Sequence, residues 1–372
     1  MRPPLSLIIV FHAGSGYLQA CLESALATVR PDDEIIVVAN NADPHQLELP
    51  PFANRVRIIK YAKALGYAGA SNAGSGQASH EYLVFCDHDL VFQPDWLEHL
   101  WASYTAVPHI GAASCMAINP HSLAVLDFGI AFSAFNGAHP GLDLPVTDKS
   151  VQNDRFAQAI CTSGFLISAR DFSEAGGFDV RFGSMYTDLD LCLQLKRMGR
   201  KIVASAKARA YHFGGDFHLA GDKTYKSSFL KADVKGAFFR KHADILESDL
   251  GAYYSAAIDR FIADHGTLQK YMCCNMMNVA DQQWYEDQMY AAGMTGYESL
   301  HLPTGQRDAG TLGLFEHLGF DLMRSNARLA YFVDRFVCLR SNEYWWQCRA
   351  GKGDIVIDRN ANIMPAELAR LG

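Results

Sequence analysis

The feature that most constrains the fold of this chain is the alternation of short apolar runs with stretches whose apolar residues repeat at helical spacing. The apolar run 5–11 precedes a helical pattern at 17–29, and further apolar runs follow at 34–39, 56–60 and 82–86. Such alternation predicts an α/β domain in which helices flank a mainly parallel sheet. Ligands of these sheets bind at the carboxyl ends of the strands, so functional residues are expected directly after these runs.

This rhythm continues to residue 215 and then changes. The segment 133–155 is rich in Gly, Pro, Asp and Asn and is predicted to be a long loop, whereas residues 225–300 look mostly helical. A chain of 372 residues exceeds the usual size of one domain. We therefore predict a catalytic domain at 1–215 and a mostly helical region at 216–372. The other elements predicted in the first region are helices at 66–77, 93–104 and 187–198 and strands at 159–168, 201–205 and 208–211.

Charge and cysteine usage narrow the classes of protein. The formal net charge of -7 argues against a nucleic-acid partner, which normally requires a basic surface. It leaves nucleotides open, because a bound cation can neutralise a diphosphate locally. The nine cysteines show no C-x-x-C pair and mostly lie in apolar runs, so buried free thiols in a reducing compartment are expected.

The chain is predicted to be cytoplasmic, because its longest apolar stretches are too short for a membrane span. One segment, 221–242, nevertheless has six Lys or Arg against two Asp, with aromatic residues between them. Two interpretations stay open: peripheral contact with the inner membrane face or a lipid-linked ligand, and a solvated helical face whose aromatics point inward. A homo-oligomer is also left open. The basic residues are Lys223, Lys226, Lys231, Lys235, Arg240 and Lys241.

Asp87-His88-Asp89 directly follows the apolar run 82–86. Residues two apart on an extended chain point to the same side, so both carboxylates can reach one hard cation such as Mn²⁺ or Mg²⁺. A pair of solvated turn aspartates is the simpler alternative.

A second acidic group lies at Thr187-Asp188-Leu189-Asp190, at the start of a predicted helix. Thr187 and Asp190 are spaced as a capping box, which is a purely structural interpretation. In the functional interpretation, Asp188 protrudes from the loop 182–186 and accepts a proton from an incoming hydroxyl. Both can hold together, with Asp188 for chemistry and Asp190 for structure.

His212 follows the last predicted strand and precedes Gly214-Gly215. An isolated histidine is usually structural, but here a glycine-rich turn allows backbone and phosphate to approach closely. A neutral imidazole that completes a metal site is the functional interpretation.

Taken in order, these motifs resemble the family-2 glycosyltransferases of GT-A fold, in particular the rhamnosyltransferase-like branch. The resemblance covers 5–215 and extends beyond the acidic motifs. It includes Tyr17-Leu18 and Cys21-Leu22 in the first helix, the run Gly66-Tyr67-Ala68-Gly69-Ala70-Ser71-Asn72-Ala73-Gly74, and Gly177-Phe178-Asp179.

The resemblance implies an inverting enzyme that transfers a sugar from a nucleotide-diphosphate sugar to a hydroxyl of a glycan or lipid-linked glycan, in polysaccharide, O-antigen or other glycoconjugate synthesis. It makes Asp188 the catalytic base and gives Asp89, His212 and Asp87 to Mn²⁺ or Mg²⁺. The loop 133–155 and the segment 161–164 are expected on the acceptor side, with a surface excursion as the alternative for the loop. The residues expected to bind the donor nucleotide are Phe11, His12, Asn40, Gly66, Asn72, Asp87 and His88.

Two positions depart from the family pattern. The second strand ends in Ala39-Asn40-Asn41 where the family usually has an acid that holds the nucleobase or ribose, which leaves the choice of nucleotide open. Thr187 stands where the family has an acid before the base.

Three other functions could account for parts of the same sequence pattern. A dehydrogenase fingerprint would place its third glycine at Gln19, and the second strand ends in Asn40 instead of an acid that could hold the ribose. A nucleotidyltransferase wants a basic glycine-rich loop, whereas the turn 12–16 has no Lys or Arg. A non-catalytic nucleotide-sugar-binding protein would be expected to lose the base, yet Asp188 is present. The last two stay as alternatives, separable by the product released.

Overall fold

A computed structural model of the protein describes residues 2–47, 52, 54–133, 136–182, 186–214, 232–265, 271–275, 284, 287–288, 299–301, 323–324, 326–333 and 343–369. The chain divides into two compact units. The first comprises Met1–Ala131 and Pro145–Glu247, and the second comprises Phe132–Leu144 and Ser248–Gly372. The first unit therefore extends past residue 215, where the domain boundary was predicted.

The elements of the first unit follow the predicted rhythm, with ends that shift by a few residues. Two short strands, Ala131–Phe132 and Gly137–Ala138, pair with each other outside the main sheet. The helices are α1 (Ser15–Leu26), α2 (Gly66–Ser75), α3 (Trp96–Thr105), α4 (Ala169–Glu174), α5 (Thr187–Arg197) and α6 (Ala232–His242). The strands up to residue 214 are β1 (Leu5–Phe11), β2 (Glu34–Asn40), β3 (Val56–Tyr61), β4 (Tyr82–Asp87), β5 (Leu90–Phe92), β6 (Ile110–Ile118), β7 (Val125–Asp127), β8 (Ala131–Phe132), β9 (Gly137–Ala138), β10 (Arg155–Ala157), β11 (Phe165–Ser168) and β12 (Lys201–His212).

The main sheet has the order β10-β12-β6-β11-β4-β1-β2-β3, so the α/β prediction is confirmed. The pairs β4-β1, β1-β2 and β2-β3 are parallel, and β12 pairs with β6 in parallel. Strand β11 lies antiparallel between β4 and β6. Because β1, β2 and β4 run in one direction, their last residues Phe11, Asn40 and Asp87 share one edge of the sheet.

Side-chain size decides how closely the helices approach this sheet. Helix α1 buries Leu18, Cys21, Leu22 and Ala25. Helix α2 buries only small residues, namely Ala68, Ala70, Ser71 and Gly74. A Cβ atom at position 74 would lie 2.5 Å from Ile8 Cγ2 on β1. The small residues of α2 thus allow its backbone to lie directly on β1 and β2.

A short antiparallel pairing brings two distant parts of the sequence together. Strand β5, which begins directly after the Asp-His-Asp motif, pairs with the end of β12 so that Leu90 lies opposite His212. The Phe213 backbone N–H donates to the Asp89 carbonyl oxygen at 3.1 Å. This pairing fixes the position of His212 beside Asp89.

The second unit contains a sheet of its own, which the prediction of a mostly helical region did not include. Its order is β14-β13-β15-β16-β17, parallel except for β17. These strands are short, and periodicity cannot distinguish short apolar runs from buried helix segments. Its elements are α7 (Leu250–His265), β13 (Tyr271–Asn275), β14 (Ser299–His301), β15 (Arg328–Val333), α8 (Glu343–Arg349), β16 (Ile355–Asp358), β17 (Ile363–Pro365) and α9 (Ala366–Ala369).

Contacts between remote parts of the sequence explain why 132–144 belongs to the second unit. The Asn360 side-chain oxygen accepts a hydrogen bond from the His139 backbone N–H, and the Asn362 oxygen accepts one from Gly141 N–H, both at 3.1 Å. The buried Asp358 carboxylate in turn accepts bonds from the backbone N–H groups of Asn360 and Asn362. These hydrogen bonds therefore hold His139 and Gly141 of the predicted loop 133–155 within the second unit, and a place of the loop on the acceptor side stays a prediction.

The second unit has an apolar core of its own. Trp345 and Trp346 are buried in the core of the second unit together with Tyr331. Cys274 is also buried there, whereas Met276 and Met277 beside it lie outside the described residues. In the part of the chain that the structure describes, helices are too short or too polar to cross a bilayer.

Candidate active site

Asp87, Asp89 and His212 meet at the carboxyl edge of the main sheet. Asp87 is the last residue of β4, and His212 is the last residue of β12. Asp89 lies in the turn between β4 and β5, two residues after Asp87. His212 Nε2 lies 3.3 Å from Asp89 Oδ1 and 3.9 Å from Asp87 Oδ2. The structure thus brings together the three residues that the sequence analysis assigned to a metal.

Burial and mutual charge set the protonation of this group. Burial raises the pKa of Asp87 to about 7, and the carboxylates of Asp89 and Asp188 act in the same direction, against His212. Burial opposes ionisation of Asp89 too, but the hydrogen bond and charge of His212 hold the pKa of Asp89 below its usual value. Burial disfavours a charged imidazole, yet the Asp89 and Asp87 carboxylates raise the pKa of His212 to about 9. The cluster is therefore a site that attracts positive charge.

The geometry and chemistry of the cluster fit a divalent cation. One ligand atom from each residue can be chosen so that all three lie within 4.8 Å of one another. Two carboxylates and an imidazole suit Mn²⁺, and carboxylate oxygens also suit Mg²⁺. A Cβ atom at position 214 would lie 2.9 Å from His212 Nε2, so Gly214 keeps space open beside the imidazole.

Asp188 lies in the first turn of α5 and is half-buried. Its carboxylate helps to raise the pKa of Asp87, which places Asp188 on the same side of the unit as the metal-type cluster of Asp87, Asp89 and His212. Its Oδ1 accepts a hydrogen bond from the Leu189 backbone N–H at 3.0 Å. A carboxylate beside, rather than inside, a cation site can receive a proton from a second substrate.

The capping box predicted for Thr187 and Asp190 does not form. Helix α5 begins at Thr187 itself, and the capping position is Tyr186, which makes no side-chain cap hydrogen bond. Asp190 is buried and contacts Lys241 and His242 of α6 instead. The structural role proposed for Asp190 is thus performed through tertiary contacts, which local spacing cannot reveal.

Two predicted nucleotide-binding amides are already engaged with backbone. Asn40 Oδ1 accepts from Leu65 N–H at 2.7 Å, and its Nδ2 donates to the Gly66 carbonyl at 3.3 Å. Asn72 Nδ2 donates to the Phe178 carbonyl at 2.8 Å, and its Oδ1 accepts from Phe178 N–H at 2.9 Å. Asn72 therefore fastens α2 to the segment that leads to α5. Gly66 has φ of +69°, a conformation that glycine adopts freely. Nucleotide contact by these three residues remains a prediction.

The remaining predicted residues pack together at the ends of β1 and β4. The His88 ring meets the rings of Phe11 and His12 edge-on, at centroid distances of 5.3 and 5.2 Å. Burial lowers the pKa of His88 to about 4, so its imidazole is neutral at physiological pH. Phe11, His12 and His88 thus form an aromatic group next to Asp87 and Asp89.

Three further residues near the site received no individual role in the sequence analysis, although Tyr67 and Cys161 lie within segments that it names. Burial raises the pKa of the Tyr67 hydroxyl, and both Asp87 and Asp188 add to that rise. Desolvation raises the pKa of the half-buried Cys161 thiol, and Asp127, Asp188 and Asp87 add to that rise; Asp127 also helps to raise the pKa of His212. Tyr67 lies within a quoted motif, but Asp127 follows an ordinary apolar strand and is found only in three dimensions.

The basic segment 221–242 is described from residue 232 onward. Lys223, Lys226 and Lys231 lie outside the described residues. In α6, Phe238 is buried and Lys235 is exposed, as expected for a solvated helical face with an inward aromatic. Lys241 is paired with acids of the same unit.

The amino-acid sequence of the chain is similar to that of known proteins. Residues 6–122 match the family described as Glycosyl transferase family 2. The O-antigen biosynthesis protein RfbC of Myxococcus xanthus is 29% identical over 222 residues, which are 56% of this chain and 17% of that protein. N-acetylgalactosaminyltransferase 6 of Drosophila melanogaster is 24% identical over 264 residues, 65% of this chain and 38% of that protein. The chain spans less than half the length of either relative.

Two solved structures resemble the chain at low sequence identity. GalNAc-T7 with UDP, GalNAc and Mn²⁺ has a TM-score of 0.48 and 15% identity, covering 70% of this chain and 57% of that one. The mannosyltransferase PcManGT from Pyrobaculum calidifontis in complex with GDP-Man and Mn²⁺ has a TM-score of 0.44 and 14% identity, covering 78% and 74%.

Proposed function

Since residues 6–122 of this chain belong to glycosyl transferase family 2, as its motifs predicted, we propose that the protein transfers a sugar from a nucleoside-diphosphate sugar to an acceptor hydroxyl, with inversion at the anomeric carbon. The observation that carries the proposal is the meeting of Asp87, Asp89 and His212 at the sheet edge, with Asp188 on the same side. The first unit, with the family match at its N-terminal end, is the proposed catalytic domain.

Asp87, Asp89 and His212 would hold Mn²⁺ or Mg²⁺, which neutralises charge that builds on a departing diphosphate. Asp188 would accept the proton of the acceptor hydroxyl as that oxygen attacks the anomeric carbon. The bond from the anomeric carbon to the diphosphate breaks on the opposite face, so the configuration inverts. The aromatic group of Phe11, His12 and His88 would border the donor nucleotide and limit access of water to the diphosphate.

The acceptor is proposed to be a glycan or lipid-linked glycan in polysaccharide or O-antigen synthesis. The Myxococcus relative is named as an O-antigen biosynthesis protein, which supports this class, although the similarity covers only part of that protein. The proposal places the acceptor on the Asp188 side, with Tyr67 and Asp127 as neighbouring polar groups. The donor sugar and the linkage are left to experiment.

The test is a panel of nucleoside-diphosphate sugars with Mn²⁺ or Mg²⁺, with the nucleoside diphosphate product quantified. Release of a nucleoside diphosphate that requires both metal and acceptor supports the proposal. Pyrophosphate release would indicate a nucleotidyltransferase instead, and metal-dependent donor binding with no product would indicate a binding protein.

Asp89→Ala should abolish the metal dependence of donor binding, measured by titration of Mn²⁺ at fixed donor concentration. Asp259→Ala is the matched control, because Asp259 is an exposed acid on α7. An Mn²⁺ titration of Asp89→Ala that matches the wild-type curve would contradict the metal assignment.

A further inference from the structure

Asp190 is a buried carboxylate two residues after the proposed base. Its side chain is 2% exposed, so its charge requires compensation from within the protein. Two consecutive residues of α6 supply it at the same oxygen. Lys241 Nζ lies 2.6 Å and His242 Nε2 lies 2.7 Å from Asp190 Oδ1. The C-terminal end of α6 is thus attached to the first turn of α5.

The same ammonium group reaches a second carboxylate. Lys241 Nζ lies 2.9 Å from Asp179 Oδ2 and 5.3 Å from the centre of the Phe182 ring. Asp179 precedes and Asp190 follows the turn that leads into α5. Lys241 therefore joins both ends of the segment 179–190, and Asp188 lies within that segment.

The backbone of this segment also requires support. Tyr186 has φ of +61°, in the left-handed region that residues with a side chain rarely adopt without support from their surroundings. Its ring packs against Phe238 of α6 at a centroid distance of 4.9 Å, and Phe182 meets the same ring edge-on. Helix α6 therefore contacts the segment before Asp188, through Phe238, and after it, at Asp190.

We propose that Lys241 is a positioning residue, which fixes Asp188 for proton transfer by bridging Asp179 and Asp190, and that α6 is for this reason part of the catalytic domain. The proposal deepens the proposed function and rests on it. A bridging cation resists separation of the two carboxylates, whereas a neutral side chain would leave Asp190 with His242 alone. Small displacements of a reacting group cost up to about 10²-fold in rate, so a local loosening should be visible in turnover.

The test variant is Lys241→Met, and Lys196→Met is its matched control. Lys196 is equally exposed, at 25% against 24%, and also joins α5 to the segment after α6, through Glu247 and the Ile245 carbonyl. It lies at the other end of α5, away from Asp188. We expect kcat to fall by about 10- to 100-fold in Lys241→Met, with KM for the donor within about threefold of wild type, and near-normal kcat in Lys196→Met. Lys241→Arg, which can bridge both acids, should restore most of kcat.

Asp179→Asn provides a second variant that removes one arm of the bridge and leaves Asp190 paired. It should lower kcat in the same direction by a smaller factor. Hydrogen exchange gives a readout independent of activity: amides of 186–190 should exchange faster in Lys241→Met than in Lys196→Met. Wild-type kcat or unchanged exchange in Lys241→Met, or equal losses of kcat in both lysine variants, would overturn the proposal. Faster exchange in a protein that transfers sugar from no donor would support the bridge and contradict the proposed function.

Discussion

At the scale of single residues, Asp188 and Asp190 show how one residue type takes two roles within a single helical turn. Asp190 is buried in the unit, where its carboxylate forms an ion pair with Lys241 and contacts the His242 imidazole. Asp188 is half-buried on the side of Asp87 and influences the pKa of that carboxyl. The two side chains differ because residues two apart on a helix face different directions. Chemistry is therefore expected of Asp188 and stability of Asp190.

The prediction at this scale concerns Asp188→Asn, which keeps the side-chain volume and removes the proton acceptor. Because general base catalysis contributes about 10²–10⁴-fold, we expect kcat to fall by that factor while Mn²⁺-dependent donor binding is retained. Steady-state transfer and calorimetric donor titration measure the two quantities. Near-normal kcat in this variant would remove Asp188 from the mechanism, whatever its position.

At the scale of elements, two features position the site. Strand β5 pairs with β12 and so places His212 beside Asp89. Helix α2 lies close to β1 and β2, and its Asn72 holds the segment that leads to α5. Both depend on small or polar residues whose partners lie far away in the sequence. The proposed donor side and the proposed base side of the site are thus connected through α2.

The prediction at this scale compares Gly74 inside α2 with Gly76, the residue that directly follows the helix. In Gly74→Ala the added Cβ would lie 2.5 Å from Ile8 Cγ2 and 2.9 Å from Val38 Cγ2, so overpacking should lower the free energy of unfolding by about 1–3 kcal/mol. In Gly76→Ala the nearest atom is Asn72 O at 3.6 Å and φ is -65°, so stability should stay within about 1 kcal/mol of wild type. Urea denaturation measures both, and equal stability of the two variants would contradict the close approach of α2.

At the scale of the whole molecule, two features stand out: the net charge, and the way in which the chain passes between the two units. The formal net charge is -7, and Lys241 of the basic segment is committed to two acids within the first unit. The chain also leaves the first unit at residue 131, contributes 132–144 to the second, and returns. Each unit is therefore built from two separate stretches of sequence.

The prediction at this scale is the absence of electrostatic membrane binding. We expect the protein to remain in the supernatant with phosphatidylserine-containing vesicles at low salt, as it should with neutral vesicles, because its net charge is repelled by an anionic surface. Sedimentation at two salt concentrations measures this. Salt-sensitive pelleting with the anionic vesicles alone would instead assign the basic segment to a membrane surface.

The sequence by itself determined the α/β class, the first strands and helices, and the residues of the metal-type cluster, because these follow from local apolar periodicity and from motifs of fixed spacing. It could not place Lys241 against Asp190, Asn72 against Phe178, or Asp127 near His212, since each contact joins residues far apart in the chain. It also missed the second sheet, whose strands are too short for periodicity to separate them from helix. Tertiary structure decided these points, because a buried charge or amide is satisfied by whichever partner the fold brings within hydrogen-bonding distance.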